Sequence, residues 1–152
     1  MTDIRTYAST LSFVAAAVYL GLGLFAGVFN REYTKGGEFG GIGGSQLGVT
    51  HTHLLVLGFI MMLIVVAIDQ SLGLNSRLFP WFFWVYTAGM AISMGALFFR
   101  GLATVAGTDS GPALSGVAGL GHILLAAGLI SLMVVVGQRL SAQSNTAQRL
   151  ER

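Results

Sequence analysis

At 152 residues the chain fits one domain, and 54% hydrophobic against 9% charged residues, with a mean hydropathy of +0.76, exclude an ordinary soluble protein. Cysteine is absent, which excludes disulfides, thiolate metal sites, iron–sulfur clusters and thiolate haem ligation. Any metal must be held by histidine, methionine, carboxylate or backbone, and a scattered net charge of +2 offers no nucleic-acid surface.

Crossing about 30 Å of hydrocarbon takes about 20 apolar residues at about 1.5 Å each. Four segments qualify, Tyr7 to Phe29, Val49 to Ile68, Leu78 to Phe99 and Leu114 to Gly137, and none contains Asp, Glu, Lys or Arg. The first is too long for a signal peptide, and its leading MTDIR carries an acid as well as a base. The expected fold class is therefore all-α: a polytopic membrane protein with four transmembrane helices in a bundle. Residues 1–139 form that domain, and 140–152 form a polar C-terminal tail, either a partly disordered end or a short surface helix.

Four spans place both termini on one side. That side carries Arg5, Arg77, Arg139, Arg149 and Arg152, against Arg31, Lys35 and Arg100 on the other. The positive-inside rule then makes the termini cytoplasmic in a bacterial inner membrane. FPWFFWVY, from Phe79 to Tyr86, supplies an aromatic belt at the inner interface. The first loop, with seven glycines from Gly36 to Gly48, lacks a phosphate-cradling GKS or GKT and is expected to form an adaptable lid over the outer end.

All three histidines of the chain, His51, His53 and His122, lie toward that outer end, each in an apolar run. An ionisable group inside a membrane helix is costly and is by default a candidate functional site. Two positions along a helix turn the side chain by about 200°, so His51 and His53 cannot ligate one ion together. His53 lies about four residues into its span and His122 about eight into its own. Parallel helices then bring both to similar depths, the geometry of two axial ligands on one iron porphyrin. Without a cofactor, each ring would simply bond a backbone carbonyl or water at headgroup level.

The surroundings suit a flat cofactor as well as plain helix packing. Gly116, Gly119, Gly121 and Gly128 surround His122, and Gly58 follows His53. Met61, Met62, Met90 and Met94 are soft ligands or packing groups. Arg100, and less so Arg31, can pair with a propionate or snorkel at the interface. Thr50, Thr52 and Ser115 can hold the second ring nitrogens or cap helix starts.

VTHTHLLVLGFIMML, SGVAGLGHILLAAGL and FNREYTKGGEFGG together resemble a family of small four-helix bacterial membrane proteins classed as a domain of unknown function. The second span is also similar to helices of the haem-copper oxidase catalytic subunit, in which a His-x-His helix serves two haems. That subunit holds three pseudo-equivalent groups of four helices. The resemblance implies that this chain is one third of such an assembly and that a homotrimer completes it, with His51 of one protomer and His53 of the next on a shared haem. The oxidase's adjacent histidine pair, cross-linked His and Tyr spacing and acidic proton-channel residues are missing, so oxygen reduction is not implied. His122 has no counterpart in the oxidase pattern. Two ligand schemes are therefore open: His53 with His122 within a protomer, or His51 with His53 between protomers.

The expected function is a membrane-embedded b-type haem protein with bis-histidine ligation near the outer face, serving electron transfer or haem sensing or carriage. Its ligands are drawn from His53, His122 and His51, Arg100 compensates propionate charge, and a haem-dependent oxidoreductase is the enzymatic form of this reading. One alternative is copper or zinc binding or transport through the same three histidines. Another is a structural accessory subunit without cofactor. The expected partners are the bilayer, further copies of the chain and a redox protein.

Overall fold

The structure is a computed structural model that describes residues 3–36, 45–74 and 76–150. Its elements are α1 (Asp3–Thr34), α2 (Gln46–His53), a π-helical segment (Leu54–Ile60), α3 (Met61–Leu72), α4 (Phe79–Val105) and α5 (Gly111–Leu150). The chain is all-α: among the described residues there is no strand, and α2, the π segment and α3 run on as one helix. Four helices are thus long and apolar enough to cross a membrane. The glycine-rich stretch expected to act as a lid lies largely outside the described residues.

α1 is packed mainly by small residues and presents most of its large ones outward. On α1 the buried positions are Ala8, Ser12, Ala16, Tyr19, Gly23 and Ala26, whereas Phe13 and Phe25 are 60% and 63% exposed. This inverts the pattern of a water-soluble helix, and small residues let backbones approach closely where dispersion, not water exclusion, drives association. Between α4 and α5 the backbones approach closely: a Cβ added to Gly89 would lie 2.7 Å from the Leu125 nitrogen, and one on Gly128 would lie 3.1 Å from Tyr86 Cα.

Packing runs in the order α1, second span, α4, α5. The second span lies against both α1 and α4, α5 lies along α4, and α1 meets α4 only slightly. Towards the end that holds the termini α5 also touches α3, but among the described residues it touches neither α1 nor α2. The layer is therefore open between α2 and α5 at the opposite end.

Three local features fix the second span. Tyr86, fully buried on α4, donates to the Leu57 carbonyl at 2.7 Å, inside the π segment, where wider turns leave carbonyls without their usual partner. Tyr19 of α1 covers Gly58 in the same segment, so closely that a Cβ there would lie 2.6 Å from Tyr19 Cγ. At the inner end the buried Asp69 accepts from the Ser9 hydroxyl and, at 2.7 Å, from the Leu74 N–H, while Gly73, in the left-handed region at φ 66°, ends the helix.

Helix ends depart from the hydropathy-based boundaries. The second span begins at Gln46, three residues before the expected Val49, so His53 is its eighth residue and sits deeper than expected. α5 starts at Gly111 and continues to Leu150, so residues 140–150 of the polar tail extend the span rather than forming a separate element. Beyond Gly137 this stretch has neither Gly nor Pro, and its Ala, Leu, Gln and Arg favour helix. The expected aromatic belt divides by helical face: Trp81 and Trp84 point outward, whereas Phe79, Phe82, Phe83 and Tyr86 are core.

Candidate functional site: two histidines across an open cleft

The face of each histidine follows from its neighbours. On α2, Leu47 packs against Gly101 of α4, and Gln46 Oε1 accepts from Thr104 Oγ1 of α4 at 3.1 Å, which marks the α4 side. His51 lies on the α1 side: its ring fills a notch at Gly27, where a Cβ would come within 2.7 Å of Nδ1, and Nδ1 bonds the Gly23 carbonyl at 2.7 Å. His53, about 200° round the helix from His51, lies on the flank beyond α4, towards α5.

On α5, Gly121, Leu125, Gly128, Leu132 and Val135 form the buried face. His122 stands about 100° from that face, on the flank shared with Leu129 and Val136, which pack against the core. Leu124 marks the other flank and lies with Pro80, Trp81 and Trp84 on the far side of α4. His122 therefore faces back towards the second span. By the helical turn, His53 and His122 lie on the flanks of α2 and α5 that face each other past α4.

Their depths match when α4 is used as a ruler. Leu47 lies opposite Gly101, and Gly121 lies opposite Ser93, so His53 falls near Gly95 and His122 near Ile92. Three residues of helix separate those levels, about 4.5 Å.

The three imidazoles share one hydrogen-bonding state. His51 Nδ1 bonds the Gly23 carbonyl, His53 Nδ1 the Val49 carbonyl at 2.9 Å, and His122 Nδ1 the Ala118 carbonyl at 2.8 Å. A carbonyl only accepts, so each Nδ1 is the donor, which leaves Nε2 as the position with a lone pair in a neutral ring. No Nε2 has a hydrogen-bond partner among the described residues. This backbone anchoring is the state expected of a histidine without a cofactor, and it is also compatible with ligation through Nε2.

Several candidate helpers have other tasks. Thr50 and Thr52 donate to the Gln46 and Gly48 carbonyls one turn back, so they neither hold an imidazole nor cap a helix. Ser115 accepts from Arg100 Nη1 at 3.2 Å, tying the outer ends of α4 and α5 together. Met62, Met90 and Met94 are buried packing groups, and Met61 packs against the same core. Gly116 and Gly119 have open space beside them, while Gly121 and Gly128 are needed for the close approach to α4. Arg31 ends α1 exposed, with no role at the cleft.

His51 is set apart from the other two by facing α1, and among the described residues no three His, Asp or Glu side chains converge on a common point. An apolar groove of about 580 Å³ opens between α1 and α4, lined by Leu22, Phe25, Met90, Met94 and Phe98 among others. It has no charged or imidazole side chain and lies on the opposite flank of the second span from His53, so it offers no ligand to a metal.

A family model described as a protein of unknown function (DUF2871) matches residues 10–139. No curated protein and no solved structure matches the chain.

Proposed function

The chain belongs to that family of unknown function, and we propose that it is a membrane-embedded b-type haem protein whose iron is held by Nε2 of His53 and Nε2 of His122 across the cleft between α2 and α5. One observation carries this reading: two Nδ1-anchored imidazoles at matching depth face one opening, each with its Nε2 lone pair unused. His53 and His122 would together hold the iron and leave no position for oxygen, and a group held in that way would supply electron transfer with a redox partner. The excess of Arg and Lys on the side of the termini supports an orientation with the termini in the cytoplasm and the histidines towards the outside of a bacterial inner membrane.

His51 serves in this scheme as a clamp between α1 and α2, not as a ligand. Its ring is half-buried in the Gly27 notch and its Nδ1 is engaged with a different helix. A homotrimer in which His51 and His53 share a haem would need the His51 Nε2 to reach out past its own α1.

The test is the visible spectrum of the full chain, purified in mild detergent from haem-replete cells, before and after dithionite. A Soret band with sharp reduced α and β bands, at about one haem per chain, is the expected result. A colourless preparation that also fails to take up added haem refutes the reading.

A further inference from the structure

Two turns above each ligand-facing histidine stands a polar side chain. Gln46 precedes His53 by seven residues, and Ser115 precedes His122 by seven, which is about 10.5 Å along a helix and within about 20° of the same face. On α4, between them and at the same height, is Arg100, whose Nη1 donates to Ser115 Oγ at 3.2 Å. Gln46 Oε1 lies 3.1 Å from Thr104 Oγ1, which stands slightly nearer the surface and shares its single proton with the Arg100 carbonyl at 2.9 Å. Among the described residues no carboxylate lies within ion-pair distance of Arg100. Asp109, in the loop after α4, is occupied in accepting the Gly111 N–H at 3.0 Å.

The cleft thus has two tiers: paired imidazoles at depth and a guanidinium with an amide and a hydroxyl about 10 Å nearer the surface. We propose that the upper tier is a carboxylate-binding site formed by Arg100, Gln46 and Ser115, which grips the acidic substituents carried on one edge of the macrocycle. This rests on the haem reading above. Arg100, Gln46 and Ser115 would then hold the carboxylates of a macrocycle bound between α2 and α5, and the α3–α5 contact would bound its apolar edge. Arg100 supplies charge and a planar fork, Gln46 supplies neutral N–H donors from the opposite wall, and Ser115 fixes the guanidinium.

The full apo chain in mild detergent, titrated with haem b and with its dimethyl ester, tests this directly, because the ester keeps the iron and ring but loses the negative charge. The wild type is expected to bind haem b about ten- to a hundredfold tighter than the ester, the range of one or two charge-assisted hydrogen bonds. Arg100→Leu should erase most of that preference while leaving ester affinity unchanged, Arg100→Lys should restore part of it, and Gln46→Leu should reduce it less. Equal wild-type binding of acid and ester overturns the proposal but leaves the histidine site standing. Equal loss of both ligands in Arg100→Leu also overturns it, showing that Arg100 only ties α4 to α5. Failure of the wild type to bind either porphyrin overturns the histidine site and this inference with it.

Discussion

Replacing Gly27 with Ala separates a clamp role for His51 from a ligand role. The new Cβ would lie 2.7 Å from His51 Nδ1 and 2.8 Å from Cε1, below any normal contact, so the ring must leave its notch and with it the Gly23 carbonyl. Overpacking of this kind costs about 1–3 kcal/mol and the lost hydrogen bond about 1 kcal/mol more, so the α1–α2 contact should weaken by about 2–4 kcal/mol. The assay is equilibrium unfolding in mixed detergent micelles followed by far-ultraviolet circular dichroism. His51→Ala empties the notch in advance, so Gly27→Ala placed on top of it should cost almost nothing, giving a coupling of about 2–4 kcal/mol in the double-mutant cycle. The haem spectrum of Gly27→Ala should match the wild type. Additive effects of the two substitutions would refute the clamp, and a bleached spectrum in Gly27→Ala would make His51 a ligand.

Tyr86→Phe removes the donor to the Leu57 carbonyl and should lower stability by about 0.6–1.7 kcal/mol in the same assay; an unchanged midpoint would mean that the π segment does not depend on that bond. Asp69→Ala deletes the acceptor for both Ser9 and the Leu74 N–H and should cost about 2–3 kcal/mol, whereas Asp69→Asn, which keeps one oxygen, should cost less than half as much. Gly89→Ala sets a methyl against the α5 backbone, 2.7 Å from the Leu125 nitrogen, where no side chain can yield. It should destabilise by about 1–3 kcal/mol and, by pushing α5 away, release haem at lower denaturant concentrations than the wild type does.

Hydropathy made the four spans legible because a membrane helix is recognised by length and by lack of charge, and both are local properties. It misplaced their ends, since Gln46 and Leu47 are not apolar enough in sum to count as span, although Leu47 is packed against Gly101. The opposed directions of His51 and His53 were legible from the helical turn alone. Which neighbour each faces was not: that depends on glycines, Gly23 and Gly27 for His51 and Gly121 for α5, whose value lies in what they leave room for. The π segment carries no compositional mark in LLVLGFI, and only its partners Tyr19 and Tyr86, distant in sequence, distinguish it. Gln46 was missed as a site residue because it was assigned to a loop. Its seven-residue spacing to His53, repeated between Ser115 and His122, was the available signal.

The central claim is that His53 and His122 hold one haem and His51 does not. Its most direct measurement is the reduced spectrum of the purified chain with and without carbon monoxide, compared among the wild type, His51→Ala, His53→Ala and His122→Ala. With both axial positions filled, the wild type and His51→Ala should show sharp low-spin bands indifferent to carbon monoxide, while His53→Ala and His122→Ala should lose those bands or bind the gas. Low-spin bands that survive in His122→Ala and vanish in His51→Ala would contradict it.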